Sequence, residues 1–445
     1  MKKTYYELNN KAILIDNYLY PRVLILNDIE VKVYPMTSTG VKILSYCNGL
    51  NSKVEIIEQI ANNYKISRHM AEEDVESFLR SMITEEIIKE IYLPQHHEID
   101  IRGNEELMIP YQLTIETTNQ CQLKCKHCYN RAGTMRKGEL SVKEWIGILK
   151  DYKRLGGVSI MLTGGEIFLK KNIDQLIDFV ANNFIRVVIL TNGYTISDKI
   201  LEVLKRHRDK IALQISLDGL ADNHDFLRGV RGAYEKSMQN IQKLIESKIK
   251  VSIACTLNEK NLQDLPELIQ NVKSIGCFAI NIGAVSALGR ALENNVATTS
   301  VVENLHTLIM HMKNVYEDET FIVGDSIESF NSNYTSSTQE EYKNKCGAGY
   351  KILHIFSDGK IGLCPSHGSI IDQFTLGNLK ECKMEELFNY KNLEKVLNII
   401  SPNKQECGNC VYFHECAECI IAMLGRSEKE CSVKRRLIRD GVVNI

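Results

Sequence analysis

Cysteine is the residue type in this sequence that most clearly points to chemistry. The chain has 445 residues, and ten of its 14 cysteines fall into three groups. These groups are Cys121, Cys125 and Cys128, then Cys346 and Cys364, and finally Cys407, Cys410, Cys416, Cys419 and Cys431. Clustered thiolates are ligands for zinc and for iron–sulfur clusters. The grouping therefore predicts metal binding.

The first group, spaced as CxxxCxxC from Cys121 to Cys128, directly follows the predicted strand Gln112–Glu116. Three thiolates on one tight loop can hold three irons of a 4Fe–4S cluster and leave the fourth iron open to a small molecule. A zinc half-site or three incidental thiols are alternatives, although zinc normally takes four ligands. Loops at the carboxyl ends of parallel strands build active sites, so the position of this loop favours the cluster.

Glycines and small polar residues end the next three predicted strands. The segments are Thr163-Gly164-Gly165-Glu166, Thr191-Asn192-Gly193 and Ser216-Leu217-Asp218-Gly219. Glycine lets the backbone approach a ligand closely, and the carboxylate of Glu166 can accept hydrogen bonds from an ammonium group. Each segment could be an ordinary turn, but their shared position at strand ends favours one ligand site.

Strand and helix patterns alternate from about residue 109, which predicts a parallel sheet. The predicted strands are Gln112–Glu116, Val158–Leu162, Ile185–Leu190, Ala212–Leu217, Val251–Thr256 and Ala279–Ile282. These runs are nearly all apolar, as expected of strands that are buried on both faces. Six units are too few for a closed eight-fold barrel. The fold class is therefore α/β, with a partial (β/α)6 TIM-like barrel over residues 109–325.

Two further regions flank the predicted barrel. Residues 1–92 combine three β-rich runs with three helical patterns, which predicts a winged-helix-like module, and the run Glu30–Tyr34 alternates like a half-buried strand. Residues 93–108 are predicted to be a linker. A serine- and threonine-rich break at 329–339 precedes a cysteine-rich domain at 340–435.

Composition excludes several functional classes. The chain has 54 basic and 56 acidic residues, a net charge of −2, which gives no support to nucleic-acid binding. No apolar run approaches the roughly 18 residues that span a bilayer, and the first residues lack the apolar segment of a signal peptide. A cytoplasmic protein is expected, in which disulfides are rare. The remaining cysteines, Cys47, Cys255, Cys277 and Cys382, are expected to be small buried hydrophobic residues.

The cysteine loop and the segment Gly164-Gly165-Glu166 resemble the two motifs of radical SAM enzymes. The resemblance implies that S-adenosylmethionine (SAM) chelates the open iron, and that one electron from the cluster releases a 5′-deoxyadenosyl radical. It also implies the cofactor contacts. Gly164 and Gly165 form the methionine-binding motif, Glu166 binds the SAM amine, Asn192 and Ser216 lie along the nucleoside, Arg228 reaches the SAM carboxylate, and Tyr129 lies near adenine. His127, inside the loop, is not expected to be a ligand, and no catalytic residue is assigned.

The C-terminal cysteines resemble the SPASM domain, which binds auxiliary iron–sulfur clusters. On this resemblance, Cys407, Cys410, Cys416 and Cys431 hold one auxiliary cluster, and Cys346, Cys364 and Cys419 hold the other. The sequence departs from the usual pattern because two residues, not three, separate Cys416 from Cys419. Three 4Fe–4S clusters and SAM are thus the expected cofactors. We expect that Cys382 is not a ligand and that the open auxiliary iron accepts a peptide thiol. A zinc ribbon is the alternative.

Residues 1–92 resemble a PqqD-like recognition element for ribosomally made peptides, through the segment from Thr37 to Leu44 and the following Asn48-Gly49. Such modules bind the leader of a precursor peptide as an added strand. A structural winged helix is the alternative.

The domain order most resembles the sactisynthases, which form sulfur-to-carbon thioether links in peptides. The segments Thr163–Phe168 and Cys346–Lys351 support that resemblance. It implies a precursor peptide as the substrate and a reductant such as flavodoxin or ferredoxin. The alternatives are another SPASM peptide modification (a carbon–carbon crosslink, a decarboxylation, or formylglycine formation on a sulfatase) and a zinc-stabilised peptide-binding scaffold.

Overall fold

The structure is a computed structural model. It describes residues 3–18, 21–26, 31–110, 112–297, 299–325, 349, 352–369, 375–389, 391, 393–394, 399, 403–411, 416, 419–427 and 429–441. The predicted ligand Cys346 and the serine- and threonine-rich break lie outside the described residues. Every structural statement below concerns the described part of the chain.

Two small sheets form the N-terminal module. Its strands are β1 (Tyr5–Leu8), β2 (Ala12–Asn17), β3 (Arg22–Leu26), β4 (Val31–Pro35), β5 (Asn48–Ser52), β6 (Ile88–Ile91) and β7 (Asp100–Asn104). One sheet has the order β5-β1-β6, and the other has the order β4-β3-β2-β7. The predicted β-rich runs correspond to β2, β3 and β4. Strand β4 pairs only with β3 in the described residues, so it is an edge strand.

The stretch expected to be a linker, 93–108, contains strand β7, which pairs in parallel with β2. Asp100 lies opposite Ile13, and Asn104 lies opposite Asn17. The pairing was not visible in the sequence because Asp100–Asn104 is short and mostly polar. The stretch therefore completes the edge of the N-terminal sheet.

Three helices cover the module's sheets, as the helical patterns predicted. They are α1 (Ser38–Ser45), α2 (Lys53–Tyr64) and α3 (Arg68–Thr84). Helix α1 begins where the Thr37 hydroxyl accepts a hydrogen bond from the Gly40 amide at 3.0 Å, which satisfies a free helix amide. Leu44, Ile56 and Val75 are fully buried between the helices and the sheets.

A single large sheet forms the rest of the molecule. Its strands are β8 (Gln112–Glu116), β9 (Ser159–Thr163), β10 (Arg186–Thr191), β11 (Ile211–Ser216), β12 (Lys250–Leu257), β13 (Ala279–Ala284), β14 (Ile322–Asp325), β15 (Ile352–Ile355), β16 (Lys360–Gly362) and β17 (Gly377–Asn378). The order is β14-β13-β12-β11-β10-β9-β8-β15-β16-β17. The six predicted strands, β8 to β13, are all parallel and adjacent. Within the described residues the sheet ends at β14 and β17 without closing, which confirms the open barrel.

Helices follow the parallel strands, and most of them pack apolar side chains into the core of the sheet. They are α4 (Val142–Arg154), α5 (Ile173–Asn183), α6 (Asp198–Arg206), α7 (Ala221–Arg228), α8 (Ala233–Glu246), α9 (Leu265–Ser274), α10 (Arg290–Glu293) and α11 (Thr299–Tyr316). The predicted capping box opens α4, since the Ser141 hydroxyl accepts from the Glu144 amide and Glu144 accepts from the Ser141 amide. Trp145 on this helix is fully buried.

The cysteine-rich region continues the barrel sheet. Strand β15 pairs in parallel with β8, with Ile352 opposite Gln112, and β16 and β17 follow in antiparallel pairing. Four short helices are described here, namely α12 (Met384–Leu387), α13 (Lys404–Cys407), α14 (Ile420–Leu424) and α15 (Ser432–Arg439). Among the described helices, none combines the length and the apolar content that crossing a bilayer requires.

The isolated cysteines divide into two kinds. Cys47, Cys255 and Cys277 are buried among apolar side chains, as expected. Cys382 is instead partly exposed, in the turn before α12, where its amide donates to the Asn378 carbonyl. The expectation of burial was wrong for Cys382. In this segment Met384 and Phe388, rather than Cys382, are the side chains buried in the core.

Candidate active site at the carboxyl ends of the barrel strands

The loop that carries Cys121, Cys125 and Cys128 follows β8 and is fixed by the backbone of its neighbours. The Cys121 amide donates to the Gly133 carbonyl at 3.0 Å. The Lys124 amide donates to the Arg228 carbonyl at 3.1 Å, at the end of α7. The loop is therefore anchored at both ends, and Cys125 is its most buried cysteine.

Each sulfur of this loop accepts a hydrogen bond. The donors are Asn192 Nδ2, 3.8 Å from Cys121 Sγ, Arg228 Nη1, 3.8 Å from Cys125 Sγ, and the Ala132 amide, 3.4 Å from Cys128 Sγ. Burial raises the pKa of Cys121 to about 12 and also raises the pKa of Cys125. Without a cation these two thiols stay protonated at neutral pH. The surrounding donors are suited to sulfurs that become negative.

The two glycines after β9 are required by packing between loops. A Cβ atom at Gly164 would lie 2.8 Å from the Thr118 carbonyl oxygen, and one at Gly165 would lie 2.5 Å from the Asn119 carbonyl oxygen. The Gly165 amide also donates to the Thr118 carbonyl at 2.7 Å. The glycines therefore let the turn after β9 press against the chain that leads into Cys121. The sequence had suggested close approach to a ligand, and the structure shows close approach to backbone.

Glu166 is fully buried beneath this turn and joins it to the next strand end. Its carboxylate accepts from Thr191 Oγ1 at 2.7 Å, from the Asn192 amide at 2.9 Å and from the Phe168 amide at 3.2 Å. Burial raises the pKa of Glu166 to about 7, although these donors favour the ionised form. Glu166 and Asn192, predicted as partners in one site, are thus in direct contact.

A buried ionic network lies behind the cysteine loop. Asp218 has no exposed surface, and its Oδ2 atom lies 2.7 Å from Arg228 Nη2 and 3.3 Å from His127 Nε2. The Thr256 amide donates to its Oδ1 atom at 2.9 Å. Burial disfavours the charge of Asp218, but Arg228 and His127 more than offset this, so its pKa stays below the ordinary value. Burial lowers the pKa of His127 to about 4, so its imidazole is neutral at pH 7.

Asp218 and His127 are functional candidates that the sequence reading did not assign. Asp218 belongs to the predicted strand-end segment Ser216–Gly219. The sequence signal for its role was that Arg228, a possible ion-pair partner, follows ten residues later at the end of α7. Arg228, predicted to reach SAM, lies between this carboxylate and Cys125.

The two other predicted SAM contacts lie at the same end of the sheet. Ser216 is the last residue of β11 and is partly buried, and Tyr129 directly follows Cys128. Burial raises the pKa of Tyr129 well above its ordinary value, and nearby Cys128, Glu116 and Cys364 raise it further. Cys364 of the C-terminal region is therefore within electrostatic reach of Tyr129.

A second buried carboxylate, Glu116, connects the barrel to the C-terminal region. Its Oε1 atom accepts from Ser357 Oγ at 2.8 Å and from Arg136 Nε at 3.2 Å, and its Oε2 atom accepts from Asn130. Glu116 and Ser357 are 241 positions apart in the sequence. Such a pairing is invisible to local patterns, so the sequence reading missed it.

The C-terminal cysteines that are described lie in one region of the molecule, and their assignment to two auxiliary clusters stays a prediction. Burial raises the pKa of Cys407, and nearby Cys431 and Cys410 raise it further. Burial likewise raises the pKa of Cys416, with Cys431 and Cys410 again contributing. Cys407 and Cys416 are therefore each within electrostatic reach of Cys410 and Cys431. Cys364 and Cys419 pack against the same small core that contains Cys416 and Cys431.

The fit to an iron–sulfur cluster rests on donor chemistry and surroundings. Within the described residues, no three cysteine, histidine or carboxylate side chains are grouped so as to hold a metal ion. Three soft thiols on one loop nevertheless match the ligands of such clusters. Gln122 Oε1, His127 Nδ1 and Arg228 Nε, all in or against this loop, are buried without a hydrogen-bond partner in the described residues. Polar atoms in this state are suited to a polar ligand beside the loop.

Comparison with known protein families identifies three domains in the chain. The radical SAM superfamily matches residues 115–272, the coenzyme PQQ synthesis protein D (PqqD) family matches residues 23–88, and the iron–sulfur cluster-binding SPASM domain matches residues 346–419. All three domains expected from the motifs are confirmed. The boundaries 1–92, 109–325 and 340–435 stay predictions.

Two similar proteins come from Bacillus subtilis (strain 168). The sporulation killing factor maturation protein SkfB is 29% identical over 65% of this chain and 67% of its own length. The antilisterial bacteriocin subtilosin biosynthesis protein AlbA is 25% identical over 95% of this chain and 92% of its own length. The similarity to AlbA therefore extends across all three domains.

Solved structures of SuiB from Streptococcus suis share the fold. The structure bound to S-adenosylmethionine has a TM-score of 0.65 at 16% identity and covers 96% of this chain and 100% of that one. The structure bound to the precursor peptide SuiA has a TM-score of 0.65 at 17% identity and covers 97% of this chain and 100% of that one. These likenesses confirm the partial barrel flanked by two further domains.

Proposed function

Since the chain is a radical SAM enzyme that also carries PqqD and SPASM domains, we propose that it forms Cys sulfur-to-carbon thioether links in a ribosomally made precursor peptide. The observation that carries the proposal is the similarity to AlbA, a bacteriocin biosynthesis protein, over 95% of this chain. A cytoplasmic location would keep the clustered cysteines reduced and available to bind iron.

The first cysteine loop would hold the SAM-binding cluster through Cys121, Cys125 and Cys128. When bound, this cluster supplies an electron to SAM, and the resulting 5′-deoxyadenosyl radical supplies the hydrogen-abstracting chemistry. The donors Asn192 and Arg228, each 3.8 Å from a sulfur, would stabilise the negative charge of the thiolates.

Glu166, Asn192, Ser216, Arg228 and Tyr129 would position SAM. Glu166 is fully buried and already fixed by three donors, so it can present its charge to the SAM amine without rearrangement. Gly164 and Gly165 hold the turn that carries Glu166 against the chain before Cys121. Burial of these groups excludes water, which protects a reactive radical from side reactions.

The C-terminal cysteines would hold two auxiliary clusters. Mutual proximity supports one site made of Cys407, Cys410, Cys416 and Cys431. Cys364 and Cys419 would belong to the other site, together with Cys346. Cys364 is within electrostatic reach of Tyr129, and an open iron in that site would be the one that accepts the peptide thiol.

The N-terminal module would bind the leader of the precursor as a strand added to β4. The Met36 amide donates to the carbonyl of Pro21, the residue directly before β3. Because strand amides alternate in direction, the Val33 amide points to the open edge. An edge strand offers unpaired amides and carbonyls to an incoming peptide.

The test is mass spectrometry of a precursor peptide incubated with reconstituted enzyme, SAM and dithionite. Thioether formation removes two hydrogen atoms per link and blocks alkylation of the linked cysteine. Loss of hydrogen atoms with every cysteine still open to alkylation would instead indicate a carbon–carbon crosslink. An unchanged peptide, despite 5′-deoxyadenosine formation, would contradict the proposal for that peptide.

A further inference from the structure

Two lysines lie over one exposed aromatic ring beside the first cysteine loop. Lys260 Nζ is 4.1 Å from the centre of the Phe226 ring, and Lys126 Nζ is 4.9 Å from it. The ring itself is 37% exposed. Lys124, two positions from Lys126 in the loop, is also exposed. We call Lys124, Lys126, Phe226 and Lys260 the loop patch.

The loop patch is rigidly tied to the cysteine loop. The amides of Lys124 and Lys126 donate to the carbonyls of Arg228 and Leu227, at 3.1 and 2.8 Å. These two lysines flank Cys125, which is buried. Cys125 thus lies inside the loop, while Lys124 is exposed and Lys126 is partly exposed.

Within the part of the chain that the structure describes, the loop patch carries three lysines, and Asp225 and Glu259 are the carboxylates next to it in sequence. No ion pair joins Lys124, Lys126 or Lys260 to a carboxylate there. Asp225, next to Phe226, is occupied by the backbone amides of Gly232 and Tyr234. An exposed aromatic ring beside two lysines offers an apolar contact together with a positive charge that is complementary to an acidic protein.

We propose that the loop patch is the docking surface for an acidic one-electron carrier protein. The inference rests on the proposed function, in which the cluster on this loop must be reduced before SAM is cleaved. The reaction at the patch is a transfer of one electron, in which the carrier is oxidised by one electron and the cluster is reduced by one, with no bond made or broken. Attraction between unlike charges brings the carrier to the loop, and Phe226 provides the apolar contact.

An acidic leader peptide could also be attracted to lysines, but the location favours the carrier. The patch lies on the cysteine loop at the carboxyl ends of the barrel strands. The open edge of β4 belongs to the N-terminal module, whose Ile15 and Leu24 pack with Val158 at the start of β9. The proposed peptide edge and the loop patch are therefore associated with opposite ends of the barrel strands.

The test compares two double charge reversals by stopped-flow reduction of the reconstituted enzyme. The test variant is Lys126→Glu with Lys260→Glu. The control is Lys210→Glu with Lys250→Glu, two exposed lysines at the amino ends of β11 and β12, where the charge change is the same. Reduced flavodoxin is the electron donor, and loss of the cluster's visible absorbance gives the second-order rate constant.

We expect the test variant to be reduced at least tenfold more slowly than the control at about 0.01 M ionic strength, with a smaller difference at about 0.15 M. Phe226→Ala should slow reduction severalfold at both ionic strengths. Dithionite reduces through a small radical anion that needs no docking surface, so at about 0.15 M ionic strength its rates with the test and control variants should differ far less than those with flavodoxin. If the double reversal lowers iron content, Lys260→Gln replaces it with the same expected direction.

Equal rates for the test and control variants with flavodoxin would overturn the proposal. Unchanged reduction together with weaker binding of a fluorescent precursor would also overturn it and would assign the patch to the peptide. The proposed function is judged separately, by thioether formation with dithionite, so failure of that reaction leaves the flavodoxin comparison interpretable.

Discussion

Replacing Asp218 by asparagine tests whether the buried network supports the cysteine loop. The substitution keeps the size of the side chain and the hydrogen bond from the Thr256 amide, but it removes the charge that lies 2.7 Å from Arg228. Both side chains are almost fully buried. Leaving one member of a buried ion pair without its partner costs about 3–5 kcal/mol. We expect a loss of about 3 kcal/mol in the free energy of unfolding, because one hydrogen bond is retained.

Asp264→Asn is the matched control. Its carboxylate accepts from the Leu220 amide at 2.8 Å and from Asn223 Nδ2 at 2.9 Å, both of which are neutral donors. Loss of such hydrogen bonds typically costs about 1 kcal/mol. Urea unfolding of the cluster-free protein can be followed by the fluorescence of Trp145, the single tryptophan, which is fully buried in the barrel. If both variants lost the same free energy of unfolding, the stabilising role of the Asp218–Arg228 ion pair would be refuted.

The same substitution has a second, independent readout. Removing one negative charge near the cysteine loop stabilises the more negative, reduced form of a bound cluster. With an effective dielectric constant of about 20, this raises the midpoint potential on the order of 50 mV. Potentiometric titration followed by electron paramagnetic resonance measures the shift. A potential equal to that of Asp264→Asn would show that Asp218 has no electrostatic role at the loop.

Four further predictions follow from the proposed sites. Cys125→Ala should abolish 5′-deoxyadenosine production while the fold survives by circular dichroism, and sustained production would contradict the cluster assignment. Val33→Pro should weaken binding of a fluorescent leader peptide about tenfold, since it removes one outward amide, whereas Val33→Ala should not. Cys382→Ala should still contain about 12 irons per chain by elemental analysis and should still form thioethers. Loss of about four irons would show that Cys382 is a ligand. Burial raises the pKa of Glu166 to about 7, so the cluster-free wild type loses free energy of unfolding as pH rises from 4.5 to about 7. Glu166→Gln does not titrate, so its free energy of unfolding should rise relative to that of the wild type over this range, by up to about 3 kcal/mol. A difference between the two proteins that does not change with pH would refute the buried titration.

The parts of this molecule that local sequence patterns determine were predictable. The spacing of Cys121, Cys125 and Cys128 and the apolar runs of the barrel strands locate the site, because loops at the carboxyl ends of parallel strands meet at one edge. The capping box at Ser141 and Glu144 marks the start of α4 within one residue. Each of these signals depends on residues that are neighbours in sequence.

What could not be predicted depends on pairings between distant residues. Asp218 and Arg228 are separated by helix α7, and their contact requires the helix to fold back onto the cysteine loop. The mostly polar strand β7 is specified by its partner β2 and not by its own composition. A side chain at position 165 would collide with the carbonyls of Asn119 and Gln120, which lie about 45 positions earlier in the chain. The sequence alone could not distinguish this packing role from close approach to a ligand.

The pairing of β15 with β8 explains how one chain can hold two distant cysteine groups in a fixed relation. Four successive pairs, from Ile352 opposite Gln112 to Ile355 opposite Ile115, set the register. That register places Ser357 at the carboxyl end of β8, where the Ser357 hydroxyl donates to Glu116. The chain then turns into β16 and reaches Cys364 two residues after that strand ends. A shift of one residue would move Ser357 away from Glu116 and reverse the faces of β15. The geometry between the first cysteine loop and Cys364 is therefore determined by hydrogen bonds of the barrel sheet itself.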